Sequence, residues 1–224
     1  MNLSPAGAEN LPLIIYLNHP GWWDPIICLI LANRLFPNRY HFAPIDAAML
    51  GKYRFFERLG FFGVEPGTAR GAMAFLRAGR AICAQRNTGL WITAQGEFTD
   101  VRSRPVRLKP GLSHLLRHVP GAVVLPLAIE YVFWNEKLPE ALVHFGEAIE
   151  WQTSNPSIEE VGLLLESRLA QTQDALADLS CRRNPADFNT LVSGTVGVGG
   201  VYDAWRRTKS WINGQKFEAS HGPE

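Results

Sequence analysis

Cysteine is scarce in this 224-residue chain: Cys28, Cys83 and Cys181 stand far apart, odd in number and without a C-x-x-C pair. That argues against a disulfide framework and a zinc site, and fits a reducing compartment. Long apolar runs are missing too. The longest, such as IICLILA, reach about seven residues, far short of the roughly 20 that a bilayer span needs. MNLSPAGAEN lacks the basic start and apolar stretch of a signal peptide. The expectation is a protein that is soluble or rests on a membrane surface without crossing it.

An excess of charge is also lacking. Lys and Arg number 22 and Asp and Glu 21, a net charge of +1, so no whole-molecule field draws nucleic acid or anionic membrane. At 46% hydrophobic and 19% charged residues the chain has the balance of a globular protein. Its length suits one domain, alone or with an extension. No serine or cysteine nucleophile is evident, since GLSHL at 111–115 resembles a nucleophile elbow but puts Leu115 where glycine is required. GTVGVGGVY at 194–202 is glycine-rich but does not join a strand to a helix as a dinucleotide fingerprint must. His114 and His118 are spaced like metal ligands, yet HLLRH lacks the glutamate of H-E-x-x-H and reads as a surface or core pair.

What is present is alternation. LIIYL (13–17), YHFAPI (40–45), FFGV (61–64), GLWITA (89–94), AVVLPLAIEY (122–131) and ALVHFGE (141–147) read as strands. Between them, 25–36 reads as a helix with Asp24 as N-cap and Pro25 at the first helical position. A second helix spans 68–85, capped by Thr68, with Met73, Leu76 and Cys83 on one face. Ser157 and Glu160 form a capping box before a helix whose stripe is Val161, Leu165, Leu169, Leu176 and Leu179. This pattern predicts a layered α/β domain over 11–180 and an extension over 181–224. The extension begins with a linker-like stretch, CRRNPADFNT, and carries Trp205, Arg206, Arg207, Lys209, Trp211 and Phe217. It either docks on the domain as a helix or rests in a headgroup layer.

The chemistry concentrates in LNHPGWWDP, residues 17–25. His19 at a strand's exit and Asp24 at a helix's entry are joined by a tight turn, stiffened by Pro20, Gly21, Trp22 and Trp23. The bland reading makes Asp24 a helix cap, worth about 1 kcal/mol, and His19 an ordinary loop histidine. In the chemical reading the carboxylate folds back, sets the tautomer of the imidazole and makes it a general base. With no nucleophile in the chain, that base would activate a substrate's hydroxyl.

NHPGWWD resembles the N-H-x-x-x-x-D motif of the glycerolipid acyltransferases, the 1-acylglycerol-3-phosphate O-acyltransferase family. ERLGFFGVEPGTARG (57–71), WITAQGEFTDVRSRP (91–105) and VVLPLAIEY (123–131) resemble that family's second, third and fourth blocks in order, so the likeness covers about residues 11–150. The resemblance implies an αβα sandwich that moves a fatty acyl group from an acyl thioester, acyl-CoA or acyl-carrier protein, to a hydroxyl of a lysophospholipid or related lipid alcohol. His19 is then the general base and Asp24 its orienter, with Asn18 and backbone N–H groups as candidate oxyanion donors. Trp22 and Trp23 divide between lining the acyl path and packing the turn. Neither metal nor resident cofactor is implied. The implied place is the inner face of a membrane, bound peripherally.

The sequence departs from the family's third block, where Gln95 replaces a glutamate before Gly96, Glu97 replaces a threonine, and Arg102 and Arg104 come several residues late. In the second block Pro66 replaces an arginine, with Arg70 four positions on. In the family these blocks bind the acceptor, so acyl transfer carries over better than acceptor identity. Arg102, Arg104, Arg107, Lys109 and Arg117 give +5 over 102–118 with histidines neutral, either a patch for phosphate or carrier-protein acids or a solvated face. The family's apolar helices before the first motif have no counterpart in the roughly 17 residues preceding it; membrane contact then uses other surfaces, or the chain starts upstream. Two further readings are a non-catalytic lipid- or acyl-binding module on the same scaffold and an acyl-thioester hydrolase.

Overall fold

The computed structural model describes residues 10–134, 138–152 and 156–193. In chain order the elements are β1 (Leu13–Leu17), α1 (Asp24–Leu35), β2 (Tyr40–Asp46), α2 (Ala47–Lys52), a 3-10 helix (Arg54–Leu59), β3 (Phe61–Val64), α3 (Ala69–Cys83), β4 (Thr88–Thr93), α4 (Gly111–Leu116), β5 (Gly121–Val132), β6 (Glu140–Phe145), β7 (Ile149–Gln152), α5 (Ile158–Arg182) and a 3-10 turn (Pro185–Asp187). The chain parts into two compact units. One holds the described residues up to Glu130 together with Val143–Ala177; the other holds Tyr131–Leu142 and the described residues from Asp178.

The sheet runs β3-β2-β4-β1-β5-β6, with β7 also on β5. β1 is its centre, pairing in parallel with β4 (Leu13 opposite Gly89) and with β5 (Leu13 opposite Val123). β2 pairs in parallel with β3 and β4, while β7 is antiparallel to β5. Every residue of β1 is buried, as expected for a parallel strand covered on both faces.

Alternate residues of β1 serve two layers. Ile14 and Tyr16 join Leu90, Ile92 and Val124 in a core completed by Ile82 of α3, Leu115 and Leu116 of α4, and Val161, Leu165 and Leu169 of α5. On the other face α1 buries Cys28, Leu31 and Ala32, and Phe36 packs edge-on to Trp91. The result is a mixed α/β fold with a mostly parallel central sheet and helices on both faces.

The capping box forms as read: Ser157 N–H donates to Glu160 Oε2 at 2.7 Å and Glu160 N–H to Ser157 Oγ at 3.1 Å. Thr68 caps α3 by accepting from Gly71 N at 2.9 Å. Two expectations are corrected. Met73 is exposed, because α3 meets the core through Gly71, Gly79, Ile82 and Cys83; a Cβ on Gly79 would come within 2.9 Å of Leu115 Cδ2, so small residues mark its contact face. Asp24 is not the N-cap of α1. Trp23 holds that position without a side-chain cap bond, and Asp24 is already helical.

In the second unit Trp134 packs edge-on to Phe188 and Arg182 pairs with Asp187 at 3.4 Å. Asn184 caps the 3-10 turn through Ala186 N, so the linker-like stretch is locally structured. The glycine-rich run and the aromatic, basic tail lie outside the described residues.

Candidate active site

Three strand ends build the site. In an open parallel sheet, ligands bind beyond the carboxyl ends of the strands, where connections leave to opposite faces. β1 hands its chain to α1 on one face, and β4 leads through α4 on the other. His19 therefore emerges between the ends of β4 and β5.

The turn from β1 to α1 does what the chemical reading requires. His19 Nδ1 lies 2.5 Å from Asp24 Oδ2; the imidazole is 19% exposed and the carboxylate 0%. Gly21 N–H donates to the same oxygen at 3.2 Å, and Asp24 N–H to Gly21 O at 3.3 Å. A carboxylate only accepts, so Nδ1 carries the proton and Nε2 keeps its lone pair. Nε2 has no partner among the described residues, and it is the atom that can take a proton.

Asn18 holds the frame. Its Nδ2 donates to Ile129 O at 2.9 Å and its Oδ1 accepts from Ile129 N at 2.8 Å. At 1% exposure it straps β1 to β5, with its oxygen and one of its two Nδ2 hydrogens held by backbone inside the sheet. The turn's other anchor is the third block. Gln95 Oε1 accepts His19 N–H at 2.9 Å, and Thr99 N–H donates to His19 O at 3.0 Å. Because His19 N can only donate, Gln95 must face it with its oxygen. Its Nε2 pair then points elsewhere and has no acceptor among the described residues. Gly96 turns the chain at φ +72°, where a Cβ would meet the Lys109 stem.

Aromatic rings crowd the imidazole. Phe98 lies 4.4 Å from His19 and 5.6 Å from Trp22, centroid to centroid. Trp22 and Trp23 are 70% and 65% exposed, so neither packs the interior of the turn.

The basic stretch is largely neutralised. Arg102 makes a two-pronged pair with Asp100, at 2.9 and 2.7 Å, and its guanidinium holds that carboxyl below the usual carboxylate range. Arg104 bonds Asp174 of α5 and the carbonyls of Val101 and Ser103. Arg107 meets Glu166 at 3.1 Å, and Lys109 lies 3.8 Å from Glu97. Four of the five bases thus have acids beside them, which weakens the reading of this stretch as a phosphate patch. Arg102 remains the most exposed of the four. Arg70 is also exposed, 3.7 Å from Glu65; it follows β3, three strand spacings or about 14 Å from β1.

Sequence reasoning missed a small apolar groove. Leu17 and Thr93, the last residues of β1 and β4, line it together with Cys28 and Ala32 of α1, and with His41, Phe42, Leu59 and Trp91. His41 is locked: its Nε2–H donates to Phe36 O at 2.9 Å and its Nδ1 accepts from Trp91 Nε1–H at 3.0 Å. Burial lowers its pKa. Cys28 is no nucleophile, since burial and the nearby Asp24 push its thiol up. Ser113 is buried inside α4, so no serine elbow exists there. Among the described residues no group of three or more His, Cys, Asp or Glu is arranged to hold a metal, and no helix is long and apolar enough to cross a membrane.

No family model matches this chain, and no curated protein matches it. Among solved structures, the pilus retraction motor PilT with bound ADP is similar at 13% identity and a TM-score of 0.28, over 75% of this chain and 53% of that one. The chain thus spans about half the length of that motor's chain, and a likeness so slight carries no argument about fold or activity.

Proposed function

We propose that this protein is an O-acyltransferase of the glycerolipid acyltransferase type, moving a fatty acyl group from an acyl thioester to a hydroxyl of a lysolipid or related lipid alcohol. One observation carries the reading: a wholly buried carboxylate 2.5 Å from Nδ1 of a histidine whose other nitrogen has no partner among the described residues. An N-cap would spend the carboxylate on helix N–H groups. Here it is spent on the imidazole, inside the N-H-x-x-x-x-D spacing.

The acceptor's hydroxyl oxygen attacks the thioester carbonyl carbon while its proton passes to His19 Nε2. Asp24 stabilises the imidazolium that forms. We assign the Gln95 Nε2–H pair to the carbonyl oxygen as negative charge builds on it. The tetrahedral intermediate collapses, the C–S bond breaks, and the imidazolium returns the proton to the departing thiolate. Thioester and alcohol become ester and thiol, and the base is regenerated. The groove beside α1 has the apolar lining that a fatty tail requires. A transferase needs neither metal nor resident cofactor for these steps.

The test is mass spectrometry of lipids after incubation with labelled acyl-CoA and a mixed panel of lysolipid and lipid-alcohol acceptors. Labelled ester that disappears in His19→Ala supports the reading. Free labelled acid in its place makes the protein a hydrolase, and acyl-chain binding without turnover, indifferent to His19 and Asp24, makes it a binding module.

A further inference from the structure

From Pro25 to Ala32 helix α1 is apolar on every side, yet only Asp24, Cys28, Leu31 and Ala32 of the helix are buried. Ile26 is 40% exposed, and Ile27, Leu29 and Ile30 are only partly covered. Two exposed tryptophans precede it. Across the groove stands a second lip, α2 and the 3-10 helix, which exposes Tyr53, Phe55 and Leu59. A helix apolar all round belongs either in a core or against lipid, and this one has core on one side alone.

The charges on these lips are one-sided. α1 has no exposed charge before Arg34, because Asp24 is buried against His19. Lys52, Arg54 and Arg58 are exposed on the second lip, against Glu57, which lies 3.9 Å from Arg54, and Asp46, the exposed cap of α2. With Arg34, four bases against two acids give a local +2 on a chain whose total is +1. A protein partner's footprint carries a mixed polar rim. An apolar centre with interfacial tryptophans and a cationic border matches a bilayer with anionic headgroups.

We infer that the face made by Trp22, Trp23, Ile26, Phe55, Arg54 and Arg58 rests on an anionic lipid surface, with the groove mouth opening into the acyl layer. The inference stands on exposure and charge, and holds whether or not His19 transfers an acyl group. It adds a purpose to that reading: an acceptor moving laterally in the leaflet reaches His19 without leaving the membrane.

Full-length protein carrying His19→Ala, which removes turnover from the measurement, is mixed with phosphatidylcholine vesicles, with or without roughly 30% phosphatidylglycerol to supply surface charge. Co-sedimentation reads partition, and quenching by brominated lipid reads tryptophan insertion. The expected result is binding to both, tighter to the anionic vesicles, with quenching. Trp23→Ala with Ile26→Ser weakens partition into both by about tenfold. Arg54→Ala with Arg58→Ala weakens it into anionic vesicles alone, by about 25-fold at roughly fivefold per base. Arg77→Ala with Arg80→Ala, on α3 at the other face of the sheet, changes nothing. The inference is overturned if the protein stays in solution, or if the α3 pair matters as much as the Arg54 and Arg58 pair. Charge-dependent binding without quenching would mean that the face meets an acidic surface other than a bilayer. A dimer that Trp23→Ala with Ile26→Ser dissolves would mean that a second copy covers it.

Discussion

His19 and His41 have similar surroundings and opposite fates. Both belong to the first unit, next to the apolar groove or its end, and both have a ring nitrogen in a hydrogen bond of 3 Å or less. The difference is the partner and what is left over. His41 gives its proton to the Phe36 carbonyl and its lone pair to the Trp91 indole, so both nitrogens are satisfied within the protein. His19 gives its proton to a buried carboxylate and keeps a lone pair with no partner among the described residues. One imidazole is a structural strut; the other keeps a nitrogen without a partner among the described residues, and the proposed acyl transfer uses that nitrogen as its base. Chemistry follows from the unspent nitrogen, which burial or proximity to the groove does not reveal.

Replacing each histidine sharpens that contrast. His19→Ala lowers acyl-transfer turnover by roughly 10³-fold, within the range for loss of a general base, and leaves thermal unfolding nearly unchanged. His41→Ala strands a buried indole N–H and a carbonyl, costs about 1–3 kcal/mol for each group left unpaired, and lowers turnover per folded molecule far less than His19→Ala, because His41 lines the groove but moves no proton. Steady-state rates beside thermal melts on both variants check the pair; a reversal of the two effects would break the comparison.

Asp24→Asn comes next. The amide keeps the shape but can donate to Nδ1, which favours the wrong tautomer, and turnover falls by about 10²–10⁴-fold. Gln95→Glu should cost about 10–10³-fold in kcat with little change in KM, since it keeps an acceptor for His19 N–H and removes the donor assigned to the oxyanion. Unchanged kcat would take Gln95 out of the chemistry and leave it an anchor.

The smallest effect concerns pH. Burial depresses the His41 pKa below its ordinary 6.5, so below that value the unfolded chain binds a proton that the folded one resists. Stability is then complete above about pH 6.5 and falls as pH drops through the folded pKa. Melting temperature measured from pH 8 to pH 5 should decline with a slope that His41→Gln flattens. An equal slope in that variant would assign the loss to other groups.

Legibility in the sequence followed distance along the chain. The strands from β1 to β6, the Thr68 cap, the Ser157 capping box and the approach of Asp24 to His19 are local, so spacing and residue type reveal them. β7 was missed because IEWQ gains its strand character from β5, some thirty residues earlier. α4 is a six-residue helix whose support is the core beneath it. Two bases of the basic stretch have their acids far away: Asp174 is 70 residues from Arg104, and Glu166 is 59 from Arg107. Counting charge within a window cannot find such partners. Met73 misled for another reason. Apolar residues alone do not mark the buried face of α3; glycines mark it by letting the helix approach. Asn18, adjacent to His19, is also a strap, and a sequence cannot show that both ends of its amide meet Ile129.

The most direct test of the central claim is the initial rate of ester formation from a labelled acyl thioester and a lysolipid, measured in parallel for the parent, His19→Ala and His41→Gln, each shown to be folded. The account predicts ester from the parent and from His41→Gln, and about a thousandfold less from His19→Ala. Ester formed at equal rates by the parent and His19→Ala would contradict it.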